Sequence, residues 1–201
     1  MLENEMTFRL LLLALFVGFV GHRAYYTRKI QVREEDTIDR PKEVEPLGKL
    51  ANVIALPGLL AVVIYVIYPR GMQWAALALP VWLRILGVAL AVLGFGLLQW
   101  SQLALGRNWS DEPRIKREHQ LITGGPYRWV RHPIYTAFLM ILGSTLLISS
   151  NWFIGLTWIA MTTMDVNWRI RTEETMLAKE FGYRFTTYAA RTGRLLPRLF
   201  R

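Results

Sequence analysis

Long apolar runs alternate with short polar connections along this chain. Runs at 8–22, 50–68, 83–105, 134–149 and 151–168 are poor in charge and rich in leucine, isoleucine, valine and alanine. A helix needs roughly 20 such residues to cross a bilayer. Several of the runs are shorter, so tilt, flanking aromatic residues or a tight hairpin must supply the difference. The last two meet at Ser149, Ser150 and Asn151, which leaves room for a turn and none for a loop domain. That pair is expected to pack antiparallel. The first run has the length of a signal peptide, but the residues before it, MLENEM, are acidic and no small-residue cleavage site follows, so it reads as a retained span. The pattern predicts an all-α fold: a polytopic membrane helical bundle of about five transmembrane helices, forming a single integral-membrane domain over 1–201.

Beyond the fifth run the periodicity changes character. Asp165, Arg169 and Glu173 stand at i, i+4 and i+8, one ladder of alternating charge on a continuous helix, with Arg171 and Glu174 on neighbouring faces. Met176, Leu177, Phe181, Phe185 and Tyr188 then recur at helical spacing, with Gly182 as a break or cap and Pro197 as the end. The tail, 169–201, therefore reads as a C-terminal amphipathic helix lying along the membrane surface.

Composition sharpens this picture. Over half of the 201 residues, 53%, are hydrophobic, more than a soluble core of this size requires. There are no cysteines, which excludes disulfides, thiolate metal sites and a cysteine nucleophile. The net charge of +9 is not gathered on one face, so it argues for topology and against nucleic acid. Lysine and arginine number seven in 23–49, six in 106–132 and eight in 169–201, against three elsewhere. By the positive-inside rule those three segments face the cytoplasm and the N-terminus lies outside. The mixed-sign stretch 31–46, with two prolines, reads as a solvated linker. Trp74, Trp82, Trp109, Trp129, Trp152 and Trp168 read as interface aromatics. Gly87, Gly94 and Gly96 allow close helix approach and carry no function.

The chemistry concentrates in the loop 106–133, above all in HQLITGGPYRWVRHPIY at 119–135. The glycines and proline of GGPY offer a bend where a ligand can approach the main chain. Pro133 is a tolerated first residue of a helix, so His132 sits where the fourth span begins, beside free amides suited to a carboxylate or phosphate. From the residues alone, Arg128, Arg131 and His132 serve equally well as topological anchors or as a site. Ionisable groups at an embedded helix end point to function, and two such regions on one face favour a site. The histidines lack the clustering of metal ligands, so no metal is expected.

GGPYRWVRHPIY at 124–135, followed some forty residues later by RTEETMLAKEFGYRFTTYAARTGRLLP at 171–197, resembles the C-terminal signature of the isoprenylcysteine carboxyl methyltransferase family. That family is one of a wider group of integral-membrane methyltransferases that includes phospholipid methyltransferases. The resemblance covers about the last 95 residues. It implies an S-adenosylmethionine pocket between the loop and the start of the tail helix. His119, Gln120, Leu121, Ile122, Tyr127, His132, Pro133, Ile134, Tyr135 and Glu173 match the family's cofactor contacts, and Arg169 its acceptor-side arginine. Catalysis would rest on Arg169 and Glu173, with Glu174 and Arg171 as alternates in register. Phe185 stands where a tyrosine is usual, and Thr192 and Gly193 replace the common valine and proline. The implied function is methyl transfer from S-adenosylmethionine to a lipophilic small-molecule or lipid acceptor, with membrane lipids as surroundings and the active site facing the cytoplasm. Two other readings stand beside it, an NADPH-dependent enzyme like the membrane sterol reductases and a non-catalytic membrane scaffold. Neither the acceptor, nor O- against N- or S-methylation, nor the oligomeric state is written in the residues.

Overall fold

The computed structural model describes residues 2–31, 37–39, 44–110, 115–116 and 119–198. Among the described residues six α-helices carry the architecture: α1 (Leu2–Gln31), α2 (Val44–Ile67), α3 (Val81–Leu105), α4 (Pro133–Ser149), α5 (Trp152–Phe181) and α6 (Tyr183–Arg191). Glu5–Lys29 within α1 and Val81–Leu105 are long and apolar enough to cross a membrane; Ala55–Ile67 and Pro133–Ser149 are shorter apolar helices. Leucines and valines point outward along α3, where Val92, Leu93 and Leu103 are all more than 60% exposed. Water makes a poor solvent for such a surface, and lipid a good one.

α4 is the axis of the bundle, packed against α1, α3 and α5. Ala137, Ile141, Ser144 and Thr145 on it have no exposed surface. The two hydroxyls remain satisfied by donating back to their own helix, Ser144 to the Ile141 carbonyl and Thr145 to that of Leu142, each at 2.6 Å. The close approach of α3 depends on missing side chains. A Cβ at Gly94 would stand 2.8 Å from Ile141 Cγ1, and one at Gly87 2.6 Å from Leu147 Cβ, whereas Gly96 faces open space. Two of the three glycines singled out in the sequence thus set the α3–α4 distance.

α1 is continuous well past the apolar run 8–22. Its polar second half stays helical because the side chains find partners inside the bundle. Tyr26 donates its hydroxyl to Gln99 Oε1 at 3.2 Å, His22 Nε2 lies 3.1 Å from the same oxygen, and the Arg23 guanidinium sits 5.6 Å from the centre of the Phe138 ring.

At one end of the bundle the α4–α5 hairpin is locked to the segment after α2. Ser150 takes a left-handed conformation, φ 50°, and Leu77 donates its amide to the Ser150 carbonyl at 2.7 Å. Asn151 caps α5 by accepting from the Ile154 amide and donates its own side-chain amide to the Met72 carbonyl, both at 3.1 Å. Arg84, one of the three basic residues outside the cytoplasm-assigned segments, lies inside α3 and is only 4% exposed. It donates to the Ile148 carbonyl at 3.1 and 3.0 Å and pairs with Glu5, so its role is packing as much as topology.

The opposite end holds the long polar loop. There the described residues add one element to the helical plan, an antiparallel pair of short strands, β1 (Thr37–Asp39) and β2 (Ile115–Lys116), which joins the first connection to the third. Most of the linker expected at 31–46 lies outside the described residues, as do 111–114 and 117–118 of the loop and 199–201 of the tail. α5 runs unbroken for 30 residues out of the apolar bundle. It stops at Gly182, whose φ of 50° and ψ of −122° only glycine adopts readily, and α6 starts on its far side.

Candidate functional site

α4 begins at Pro133, which needs no hydrogen-bond partner in the first helical turn, and this fixes His132 at the mouth of the helix. Ahead of it, Gly125 at φ 58° turns the chain into a short 3-10 segment, Gly125–Arg128, burying Pro126 and Tyr127. The tail then returns to the loop. Gly193 donates its amide to the Trp129 carbonyl at 3.2 Å, Arg131 its amide to the Gly193 carbonyl at 2.8 Å, and His132 its amide to the Arg194 carbonyl at 3.1 Å. Gly193 fits a tight bend, because a Cβ there would collide with the Leu196 carbonyl. Thr192 donates its hydroxyl to the Tyr188 carbonyl at 2.8 Å. These contacts give Thr192 and Gly193, two of the three departures noted in the sequence, a local reason.

Loop, tail, α1 and α5 enclose a cavity of about 140 Å³. Of the residues singled out in the sequence, His119, Gln120, Leu121, Ile122, Tyr127, His132, Ile134, Tyr135, Arg169 and Glu173 all line it. Three do not. Pro133 shapes the helix start, Arg171 is exposed on α5, and Glu174 faces away from the cavity toward the tail.

The polar core of the site is a set of carboxylates against a histidine. Glu173 Oε2 lies 3.3 Å from His132 Nδ1, while its other oxygen accepts from the Tyr135 hydroxyl. Glu174 Oε1 lies 3.2 Å from His132 Nε2 and accepts from Arg131 Nε at 3.0 Å; Arg194 completes the set through both carboxylate oxygens. Arg131 also donates to the Ala189 carbonyl at 2.8 Å and to that of Thr192. One level along α5, Asp165 holds Arg169, whose Nε donates to both carboxylate oxygens at 2.9 and 2.8 Å.

The electrostatics follow. Burial alone would lower the pKa of His132, but its hydrogen bonds to Glu173 and Glu174 outweigh that and raise it above the ordinary value. Burial pushes the Glu174 carboxyl up, and the bonds from His132, Arg194 and Arg131 reverse this, holding it far below the usual carboxylate range. Burial, reinforced by the Glu173 charge, keeps the Tyr127 hydroxyl well above its usual value, and burial pushes Tyr188 up to about 12. Both tyrosines are therefore hydrogen-bond donors, and Tyr188 donates to the Tyr127 carbonyl at 2.7 Å.

Several lining residues were not legible as such in the sequence. Trp109, expected at the membrane interface, is instead buried against Tyr26 with ring centres 5.4 Å apart. Arg23 comes from α1, and Phe185 and Tyr188 from α6. Their only sequence signals were a charge ending an apolar run and the helical spacing of the tail aromatics.

The chain is similar to proteins of known kind. Residues 87–179 match the isoprenylcysteine carboxyl methyltransferase (ICMT) family. Over 118 residues the chain is 29% identical to protein-S-isoprenylcysteine O-methyltransferase B of Arabidopsis thaliana, a match covering 58% of this chain and 60% of the plant protein. The protein-S-isoprenylcysteine O-methyltransferase of Tribolium castaneum is also 29% identical over 118 residues, covering 58% of this chain and 42% of that protein. The human protein of the same name is 26% identical over 126 residues, 62% of this chain and 44% of its own length. The matched stretch thus spans about half the length of these curated relatives. The solved structure of a eukaryotic intramembrane Ras methyltransferase shares the fold, with a TM-score of 0.60 and 21% identity over 93% of this chain and 67% of the other.

Proposed function

We propose, from the match of residues 87–179 to the isoprenylcysteine carboxyl methyltransferase family, that this chain is an integral-membrane methyltransferase moving a methyl group from S-adenosylmethionine to the carboxylate of a lipophilic acceptor. The observation that carries the reading is the cavity itself, where the loop 119–135 and the acidic face of α5 meet around His132 and Glu173. In this reading the apolar runs make five spans with the N-terminus outside, α6 lies along the cytoplasmic surface, and the cavity opens to the cytoplasm.

The lining suits such a cofactor. Glu173 presents a carboxylate to an ammonium or sulfonium, while Tyr127, Tyr135, Phe185 and Tyr188 provide aromatic faces for a cation and a purine. Leu105, Leu121, Ile122, Met176 and Leu177 give the apolar walls. When bound, S-adenosylmethionine supplies an electrophilic methyl on a positively charged sulfur. An acceptor carboxylate would already be ionised at neutral pH, so none of the lining residues would need to act as a base. The protein's task is then to orient the nucleophile and keep water out. Arg169, anchored by Asp165, is the cation that orients the acceptor, and Arg23 is a second cation on the cavity wall. The acceptor's lipid tail lies among the spans.

Isothermal titration of the purified protein with S-adenosylmethionine tests the reading. Saturable binding that His132→Ala abolishes is expected, together with thermal protection by S-adenosylmethionine and none by NADPH. Protection by NADPH alone would replace this reading with that of a reductase.

A further inference from the structure

Glu174 is one residue from Glu173 yet does different work. Adjacent positions on a helix are 100° apart, so one carboxylate faces the cavity while the next faces the tail. Glu174 meets two guanidinium groups and an imidazole there. Arg131 Nε stands at 3.0 Å, His132 Nε2 at 3.2 Å, and Arg194 Nε at 3.2 and 3.1 Å from the two carboxylate oxygens. Each of the three also takes part in the seam between loop and tail. The amides of Arg131 and His132 donate to the Gly193 and Arg194 carbonyls, and Thr136 donates its hydroxyl to the Leu195 carbonyl at 2.7 Å. The seam therefore closes around a single carboxylate, only 15% exposed.

We propose that Glu174 is a positioning residue and not a cofactor contact: its carboxylate gathers Arg131, His132 and Arg194 into a collar that pins the tail against the start of α4 and holds the His132 ring with Nδ1 toward Glu173. The inference rests on the methyltransferase reading for its effect on catalysis, though the collar itself does not. Without Glu174, Arg131 and Arg194 lose their shared carboxylate, and the His132 ring keeps only its Nδ1 contact to Glu173 and its stacking on Tyr135. The groups facing His132 are Glu173 and Glu174 on α5, Tyr135 on α4, Arg131 in the loop and Arg194 in the tail, with Arg23, Tyr127, Arg169 and Tyr188 around the same cavity. Among these the two glutamates favour the imidazolium and the arginines oppose it. Removing one glutamate shifts that balance toward the neutral ring.

The chain has three histidines, so each imidazole is assignable in an isotope-labelled sample by single substitutions. In Glu174→Gln the titration midpoint of His132 should fall by about one pH unit, while His22 and His119 stay in place. In the same variant S-adenosylmethionine should bind about tenfold more weakly at neutral pH, the loss of one charged hydrogen-bond network, with the KM for the acceptor changed less than about twofold. Arg194→Gln, which removes one limb of the collar and leaves His132 both glutamates, should weaken cofactor binding without lowering the His132 midpoint, and it stands in should Glu174→Gln fail to fold. An unmoved His132 midpoint in Glu174→Gln overturns the collar, as does wild-type cofactor affinity in Arg194→Gln. If the unaltered protein binds no S-adenosylmethionine while the His132 midpoint still falls, the methyltransferase reading fails and the collar stands.

Discussion

Arg169 presents a guanidinium whose Nε is already engaged by both oxygens of Asp165. A lysine has one ammonium and no fork, so it cannot hold Asp165 and orient a second carboxylate at once. Arg169→Lys is therefore expected to lower kcat/KM for the acceptor by about 100-fold, close to 2.7 kcal/mol, with S-adenosylmethionine affinity within about threefold of normal. Equal loss of cofactor binding would move Arg169 to the cofactor side. The His132 and Glu174 pair makes a separate prediction about pH. The folded pKa of His132 is raised, so its contribution to stability is complete below the unfolded value of 6.5 and is lost as pH rises through the higher folded value. Glu174 is depressed, so its contribution is present above 4.5 and is lost as pH falls toward the lower folded value. Melting temperatures across pH should therefore peak between those two limits, and Glu174→Gln should flatten the profile. At this scale the sequence was most informative where a residue carried both a motif and a helix boundary, as His132 and Pro133 do. It was silent on Glu174 against Glu173, since neighbouring acids look alike until the helix is rotated into its bundle.

Helices were legible from hydropathy, their edges less so. The run 8–22 stops where charge begins, yet α1 continues to Gln31 because His22, Arg23 and Tyr26 have partners on α3 and α4. The turn at Ser150 and Asn151 and the break at Gly182 were readable, since a hairpin and a left-handed bend leave few residue choices. Packing distance was not: of three glycines on α3, only Gly87 and Gly94 meet α4. The same contrast runs through α5, where a Cβ on Gly155 would strike Leu146. Gly94→Ala and Gly155→Ala are each expected to cost about 1–3 kcal/mol of stability by overpacking, visible as a lower melting temperature in detergent. Gly96→Ala enters open space and should leave it unchanged or higher.

For the molecule as a whole, the five-span reading with opposed termini makes the two ends of the bundle face different compartments. The absence of cysteine provides the means of checking. A maleimide that cannot cross membranes should label Gln73→Cys, beside the α4–α5 hairpin, in intact cells and Glu180→Cys, near the end of α5, only after permeabilisation. The reverse pattern would invert the orientation, and labelling of both from one side would end the spanning model of residues 81–181. Joining of the first and third connections through β1 and β2 agrees with their shared basic character. What no periodicity announced was the return of the tail. Gly193 and Arg194 pair with residues some sixty positions earlier through backbone amides and carbonyls, which no sequence pattern marks, and the Leu195 carbonyl accepts from the Thr136 hydroxyl. That seam also sets an order in time. A nascent chain can settle its apolar helices in the membrane as they emerge, but it has no closed collar until Leu195 is made. Insertion and competence are thus separate events, and a chain cut short between Gly182 and Leu195 would pass for a well-inserted protein while lacking the wall that completes its site.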